Sequence, residues 1–537
     1  MSNSTVDPSS DQDTDADVVV VGYGPVGQVL AILLAQQGWR VIVLERWPDQ
    51  YPFPRVVAFD GETARNLAAA GIGDALPDII EPLGEYDFQN AAGRTLLHLD
   101  LPFAPGHTGW PPAVVIHQPT LQATLHARAA ALPNLQVLYG HQAEQLVDHG
   151  DHIEILAPGP TLGERPITAS WVVGCDGANS FVRARMGSTT TDLGFQHDWL
   201  LCDIVFAEPR EFKPTNVQIC DPARPTTLVA SGQGHRRWEF MRLPGETVEE
   251  LADVEMVWRL LAPFDVTAEN ATLTHHTVYT FQARLTDDWR VGRMLLAGDS
   301  AHVMPPFAGQ GMCSGVQDAA NLSWKLDLVL RGLADERLLD SYASERGKHV
   351  RHTIDGSVEL GKIISELDPD FATRRDEGML AMQANPDSLP VTPPFIALEN
   401  GVICQDAHAA RIPPAGDLVR QGQVARNDHT GLFDEVVGRG FVLLTTFDPH
   451  VALDADNLAF LKEIGAHVVR VRPAGTNLRQ VEDHEVVDVD DVYFRYFAEL
   501  GVEGLLVRPD FYLFGAARDR SDLPGLVTEL RSHLTAR

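Results

Sequence analysis

The segment from Asp17 to Glu45 restricts the architecture more than any other part of the chain. Val18 to Val21 form an unbroken apolar run, which reads as a strand buried on both faces, because a half-exposed strand would alternate. Gly22-Tyr-Gly24-Pro25-Val-Gly27 follows, and then Gln28 to Gln37, whose leucines and alanines suit a packed helix. Arg40 to Glu45 reads as a second buried strand. Two such strands joined through a helix lie parallel, so the segment is a βαβ unit. The first glycine permits the tight turn, the second lets backbone approach a pyrophosphate, and the third lets the helix pack on the strand. The free N–H groups of the helix start then face phosphate. Glu45, at the end of the second strand, suits hydrogen bonding to ribose hydroxyls. This pattern fits FAD and NAD equally.

The rest of the chain fills out an α/β protein of several domains, as 537 residues require. A helix over Pro119 to Leu132 is followed by strands at Leu135–Tyr139, Ile153–Leu156 and Ser170–Gly174. From Trp199 to Thr280 the segments become short and alternating, which predicts an antiparallel or mixed sheet inserted between about residues 190 and 285. Parallel-type signals return at Met294–Ala297, before a long helix from about Met312 to Arg331. The expected division is a tail at 1–16, a Rossmann-like domain at 17–190 and 285–355, the insert at 190–285, a helical connector at 355–400, and a separate α/β unit at 400–537.

Composition serves mainly to exclude. The formal net charge of −32 repels phosphate backbones and anionic membranes, so nucleic acid and membrane are not expected partners. The Ser/Asp/Thr-rich start lacks a secretory pattern and reads as a solvated tail, and no apolar run reaches membrane-spanning length. Cys175, Cys202, Cys220, Cys313 and Cys404 match neither a CxxC pair nor a zinc spacing, which predicts no metal site and a reducing, cytoplasmic setting.

Two further motifs select among dinucleotides. One is Cys175-Asp176-Gly177-Ala-Asn-Ser-Phe-Val-Arg183; the other runs from Arg293 through Gly298-Asp299-Ser-Ala-His302 to Pro305-Pro306-Phe-Ala-Gly309-Gln-Gly311-Met312. With the glycine turn, in this order and spacing, they resemble the DG and GD fingerprints of the class A FAD-dependent aromatic hydroxylases. Within that family the chain is most similar to the 3-(3-hydroxyphenyl)propionate hydroxylases. Phe53-Pro-Arg55 with Asp60, Ile116-His-Gln118-Pro119, Cys220 to Pro225, Arg236 to Met241 and Val278-Tyr279-Thr280 carry that likeness.

The resemblance implies non-covalent FAD, with NADH or NADPH and O2 as co-substrates, and a flavin C4a-hydroperoxide that hydroxylates a phenol. The favoured phenol is 3-(3-hydroxyphenyl)propionate or a similar phenolic acid. It places Gly22, Gly24, Pro25 and Gly27 at the pyrophosphate, Glu45 and Arg46 on the adenosine side, and Arg55 and Gln118 along the chain between the rings. Asp176 falls near the pyrophosphate and the nicotinamide approach, and Gly298 and Asp299 at the ribityl hydroxyls. Pro306, Gly309, Gly311 and Met312 fall at the flavin ring, where a helix start favours negative charge. The C-terminal unit resembles the thioredoxin-like domain of these enzymes without its CxxC; packing within the chain or homodimerisation is the role left to it.

Candidates for the substrate side are weaker. Tyr279 and His276 share one strand of the insert and could take a phenolic proton, or serve structure alone. Alternation puts Arg236, Trp238, Phe240 and Arg242 on one face and Arg237, Glu239 and Met241 on the other. We expect the first face, with Pro306, to meet the substrate, an arginine clamping a carboxylate or being merely ion-paired. His302 fits a hydrogen-bonded structural role or a catalytic base. Two alternatives stay open: the same chemistry on a polycyclic phenol or an epoxidation, and a flavin-binding scaffold without turnover.

Overall fold

A computed structural model describes residues 14–384 and 396–535. The βαβ unit forms as the sequence predicts, with Ala16–Val21, the helix Pro25–Gln36 and Val41–Glu45. Its strands belong to a sheet whose parallel core runs Met294–Leu296, Ile167–Gly174, Ala16–Val21, Val41–Glu45, Leu135–Tyr139. Val18, Val19 and Val20 are fully buried, which explains the unbroken apolar run there; the strand's one charged residue, Asp17, stands at its start and pairs with Arg40. The expected tail lies, up to residue 13, outside the described residues; its last residue, Ala16, already belongs to the first strand.

The second sheet has eight strands and is antiparallel except at one junction. Its centre is a long pair, Thr190–Phe206 against Ala271–Thr286, followed outward by His235–Met241, Thr226–Ala230 and Asn216–Cys220. The insert does not supply it alone. Gly84–Asn90 pairs in parallel with Asn216–Cys220, Thr95–Leu101 adds the far edge, and His302–Val303 adds the near one. The two sheets are therefore stitched together by chain from both sides of the insert.

The helix Gln310–Leu330 is almost wholly buried and lies beside Leu338–Ile364. That second helix is continuous through residue 355, which corrects the boundary expected there. Of the expected connector, residues 385–395 lie outside the described residues. The C-terminal sheet has seven strands in the order His429–Leu432, Gln423–Arg426, Glu485–Asp488, His467–Arg472, Val442–Thr445, Gly504–Val507, Leu513–Ala517.

Buried charge joins this unit to the rest. Arg508 donates to Glu345 at 2.7 Å and to Asp510 at 2.6 Å, and Lys325 donates to Glu345 at 2.8 Å, all in the interior. Burial works against the Glu345 carboxylate, but Arg508 and Lys325 hold it down to about 2. Arg65 bonds Asp434 and the Val419 carbonyl, and Tyr512 donates to Glu62 at 2.9 Å. Breaking such pairs one-sidedly is costly, so the C-terminal unit is held as part of one body. Among the described residues no helix is long and apolar enough to cross a membrane.

Candidate active site

Four chain turns meet at the C-terminal ends of the parallel strands, where open α/β sheets bind ligands. They follow Val21, Glu45, Gly174 and Leu296, and they line one elongated cavity of about 270 Å3. Gly22 takes a positive φ of 103°, and a Cβ there would stand 2.4 Å from the Cys175 carbonyl oxygen. A Cβ on Gly27 would stand 2.2 Å from the Gly22 carbonyl oxygen, so the helix is packed on the turn as the spacing requires. A Cβ on Gly24 would meet nothing within 4 Å, because Gly24 faces the cavity.

Of the residues expected to hold a cofactor, Gly22, Gly24, Pro25, Glu45, Arg46, Arg55, Gln118, Asp176, Asp299 and Met312 line this cavity together. Glu45 accepts hydrogen bonds from the backbone N–H groups of Tyr23 (2.9 Å) and Trp47 (3.0 Å), which fixes its carboxylate while leaving lone pairs free. Gln118 accepts from the N–H groups of Arg55 (2.7 Å) and Val56 (2.8 Å) and so pins the loop that carries Arg55. Asp176 accepts from Ser180 and from the N–H groups of Phe181 and Val182, and thereby caps the following helix from the cavity wall.

Asp299 differs from these. Among the described residues nothing hydrogen-bonds its side chain, which is open to the cavity. Burial pushes its carboxyl above the ordinary range, against the pull of His302 and Arg55. Its turn is anchored from behind. Asp318, on the long helix, accepts from the Gly298 N–H at 2.9 Å, pairs with His302 at 2.6 Å, and accepts from Arg346 at 2.8 Å. Burial opposes the Asp318 carboxylate, yet His302 and Arg346 hold it down to about 2. His302 is thus buried and held by Asp318 behind the cavity wall.

Gly298, Gly309 and Gly311 support the same edge without lining the cavity. Gly298 (φ 65°) packs on Val26, and Gly309 (φ 67°) starts the helix Gln310–Leu330. No side chain caps that helix, so its first N–H groups, near Gly311 and Met312, stay available to an anionic ring edge. Pro306 is exposed and opens the short turn Pro306–Ala308, which delivers Phe307 to the inserted sheet. There Phe307 stands edge-on to Trp199 (5.5 Å), Phe281 (5.8 Å) and Phe195 (5.9 Å). This aromatic box was not foreseen. Its signal was parity: Phe281 shares the face of Tyr279, and Trp199 pairs opposite Tyr279.

The inserted sheet turns the opposite face inward from the one expected. Trp238 and Phe240 are buried with Leu200, Cys202, Val257 and Leu261, in a core capped by the helix Val254–Leu261 and turned away from the cavity. Arg236 lies 3.9 Å over the Phe212 ring and donates to the Thr215 carbonyl, and Arg242 pairs with Asp198 at 2.9 Å. His276 contacts the Ala252 carbonyl on that same outer side. These five residues therefore do not reach the site. The apolar face needed a helix to cover it, whereas the face bearing Arg237, Glu239 and Met241 meets the parallel-sheet domain. Arg237 is buried, pairs with Asp203 at 2.8 Å, and donates to the carbonyls of Pro54 (2.6 Å) and Arg55 (2.9 Å). Tyr279 does reach the site: the Arg55 guanidinium stands 5.9 Å from its ring and 5.0 Å from that of Tyr51. Burial raises the Tyr279 phenol above its usual range, with Arg55 opposing.

Comparison with known proteins identifies the family and the fold. A family model described as FAD binding domain matches residues 15–357, and one described as HcaD C-terminal domain matches residues 416–533. The chain is 37% identical over 522 residues to a probable NADH-specific resorcinol 4-hydroxylase of Rhodococcus jostii (strain RHA1), covering 96% of this chain and 94% of that protein. It is 36% identical over 469 residues to a 3-(3-hydroxy-phenyl)propionate/3-hydroxycinnamic acid hydroxylase of Mycolicibacterium gilvum (strain PYR-GCK), covering 86% and 81%. A solved structure of aklavinone-11 hydroxylase with FAD and aklavinone superposes with a TM-score of 0.76 at 22% identity, over 97% of this chain and 100% of that one, a likeness of fold.

Proposed function

Since the chain belongs to the family of FAD-dependent aromatic hydroxylases, we propose that it hydroxylates a small monocyclic phenol with a meta substituent, using NADH in preference to NADPH. The overall change is phenol + NADH + H+ + O2 giving dihydroxylated product + NAD+ + H2O. Bound FAD supplies the two-electron relay and the activation of oxygen.

The glycine turn at Gly22–Gly27 would cradle the pyrophosphate, Glu45 and Arg46 the adenosine end, and Arg55, Gln118 and Asp176 the stretch between. Asp299 would take the ribityl hydroxyls. Its side chain, exposed to the cavity and without a hydrogen-bond partner among the described residues, is free to accept from a ligand. The start of the helix Gln310–Leu330 would face the ring edge that becomes negative on reduction. Trp199, Phe281 and Phe307 would hold the substrate ring and exclude water, whose entry wastes reduced flavin as hydrogen peroxide. Tyr279, beside Arg55 and Tyr51, would help orient the ring hydroxyl.

One observation carries the reading. The turn that delivers Phe307 to the aromatic box leads directly into the uncapped helix start beside Asp299, so a ring held there would adjoin a flavin bound along that edge. The two named relatives act, by their names, on resorcinol and on a 3-hydroxyphenyl acid, which share a meta-substituted phenol.

We read the C-terminal unit as thioredoxin-like. Its strands His467–Arg472 and Val442–Thr445 run parallel, and Gly504–Val507 and Leu513–Ala517 follow antiparallel. Cys404 is its only thiol, so it has no disulfide chemistry of its own, and its buried charges favour packing within the chain over dimerisation. Five free thiols suit the reducing cytoplasm.

The test is direct: purify the protein, record the flavin spectrum, and follow NADH and NADPH oxidation with a panel of meta-substituted phenols. A yellow protein whose NADH oxidation rises with a phenol supports the proposal. Indifference to every phenol of the panel would sink it.

A further inference from the structure

Glu239 sits on the inner face of the inserted sheet, between Arg237, which reaches the loop of Pro54 and Arg55, and Met241, which joins the core beneath the parallel sheet. It pairs across the sheet with Leu201 on one side and Thr227 on the other. The next pair along, Trp199 with Met241, enters the aromatic box, so Glu239 is about 7 Å from it along the strand.

Its side chain is only 8% exposed, yet among the described residues it has no hydrogen-bond partner. The groups that could serve are engaged elsewhere. The Thr227 hydroxyl donates to Gln218 at 2.7 Å, and the Gln218 amide donates to the Thr226 carbonyl at 3.1 Å. Arg237 is held by Asp203 and two carbonyls. The Glu239 carboxylate oxygens are not sealed off, so a donor from outside the protein, water or a ligand, can reach them.

Resting on the proposed function, we infer that Glu239 is a catalytic and specificity-determining residue that accepts the hydrogen bond, and then the proton, of a ring hydroxyl of the substrate. In that step the phenolic O–H bond breaks, the proton passes to a Glu239 carboxylate oxygen, and the electron pair left on oxygen enriches the ring at its ortho and para carbons. No oxidant enters the step.

The same face indicates the substrate class. Its buried cation, Arg237, is committed, Arg236 and Arg242 lie on the other face, and Arg55 lines the dinucleotide cavity. A substrate carboxylate on this face would meet Glu239 and Asp203, with Arg237 already committed. The site therefore favours an uncharged phenol with a second ring hydroxyl over a phenol with a carboxylate side chain. Burial pushes Glu239 up to about 7, Arg237 pulling down and Asp203 pushing up; Tyr86 is the further titratable group that feels it.

The test uses the holoenzyme and its Glu239→Gln and Glu239→Asp variants, with resorcinol and 3-(3-hydroxyphenyl)propionate as probes. Binding is read from perturbation of the oxidised flavin spectrum, and kcat/KM is measured from pH 5.5 to 9. The wild type should bind resorcinol at least tenfold more tightly than the propionate and show a kcat/KM limb rising near pH 7. Glu239→Gln should retain FAD, weaken resorcinol about tenfold and lose the limb; Glu239→Asp should weaken binding but keep the limb. Unchanged resorcinol binding with an intact limb in Glu239→Gln overturns the role of Glu239, and a wild-type preference for the propionate overturns the substrate class, while the hydroxylase reading survives both. Indifference of the wild type to both phenols overturns that reading together with this inference.

Discussion

Replacing Asp299 by alanine separates a ligand-holding residue from a structural one, because the two roles give opposite signs in the apoprotein. The Asp299 carboxylate faces the cavity with no hydrogen-bond partner among the described residues, and desolvation in the cleft raises its pKa. An acid whose pKa is raised by folding lowers folded-state stability as pH climbs from its ordinary value through the raised one. Asp299→Ala should therefore leave the melting temperature of the flavin-free protein at pH 7.5 unchanged or slightly higher. FAD binding should suffer instead. Two charge-assisted hydrogen bonds to ribityl hydroxyls, at about 1.5 kcal/mol each, amount to roughly 3 kcal/mol, or more than a hundredfold in Kd. Quenching of flavin fluorescence during titration of the apoprotein reads the Kd, and scanning calorimetry of the same sample reads stability. A Kd within threefold of wild type, or an apoprotein that melts well below it, would refute the reasoning.

Gly27→Ala should prevent formation of a stable holoprotein, since its Cβ would stand 2.2 Å from the Gly22 carbonyl oxygen and the turn must open; retained flavin per protein after gel filtration measures this. Arg508→Met leaves Glu345 and Asp510 buried without their shared cation and should cost about 3–5 kcal/mol in urea unfolding. Glu62, pushed up to about 8 by burial, makes the folded state lose stability as pH rises between its ordinary value and 8; Glu62→Gln should flatten that slope, seen as a smaller drop in urea midpoint between pH 6 and 8. Phe307→Ala opens the aromatic box and should raise the hydrogen peroxide formed per NADH by about severalfold, measured against hydroxylated product.

The parallel sheet and its ligand edge were legible because each local signal agreed with the others. A run of valines, three glycines at fixed spacing and the Gly298–Asp299 turn each have one physical use, and together they mark the carboxyl end of one sheet. The inserted sheet was harder to read. Both faces of His235–Met241 mix arginines with apolar residues, and only the position of the helix Val254–Leu261 shows that Trp238 and Phe240 are core. Gly84–Asn90 joins that sheet through pairing more than a hundred residues distant, which no local pattern signals, and brings its hairpin partner Thr95–Leu101 with it. The box around Phe307 is likewise a meeting of three separate chain segments. Nor did composition announce the charges buried between the C-terminal unit and the rest, because Glu345 and Arg508 look like surface residues until they are paired.

The origin of the new ring oxygen tests the account most directly. The holoenzyme, supplied with NADH and resorcinol under 18O2, should form a trihydroxybenzene carrying one 18O atom, in step with the NADH consumed. A product without label, or NADH oxidation that appears wholly as hydrogen peroxide with every phenol supplied, would contradict it.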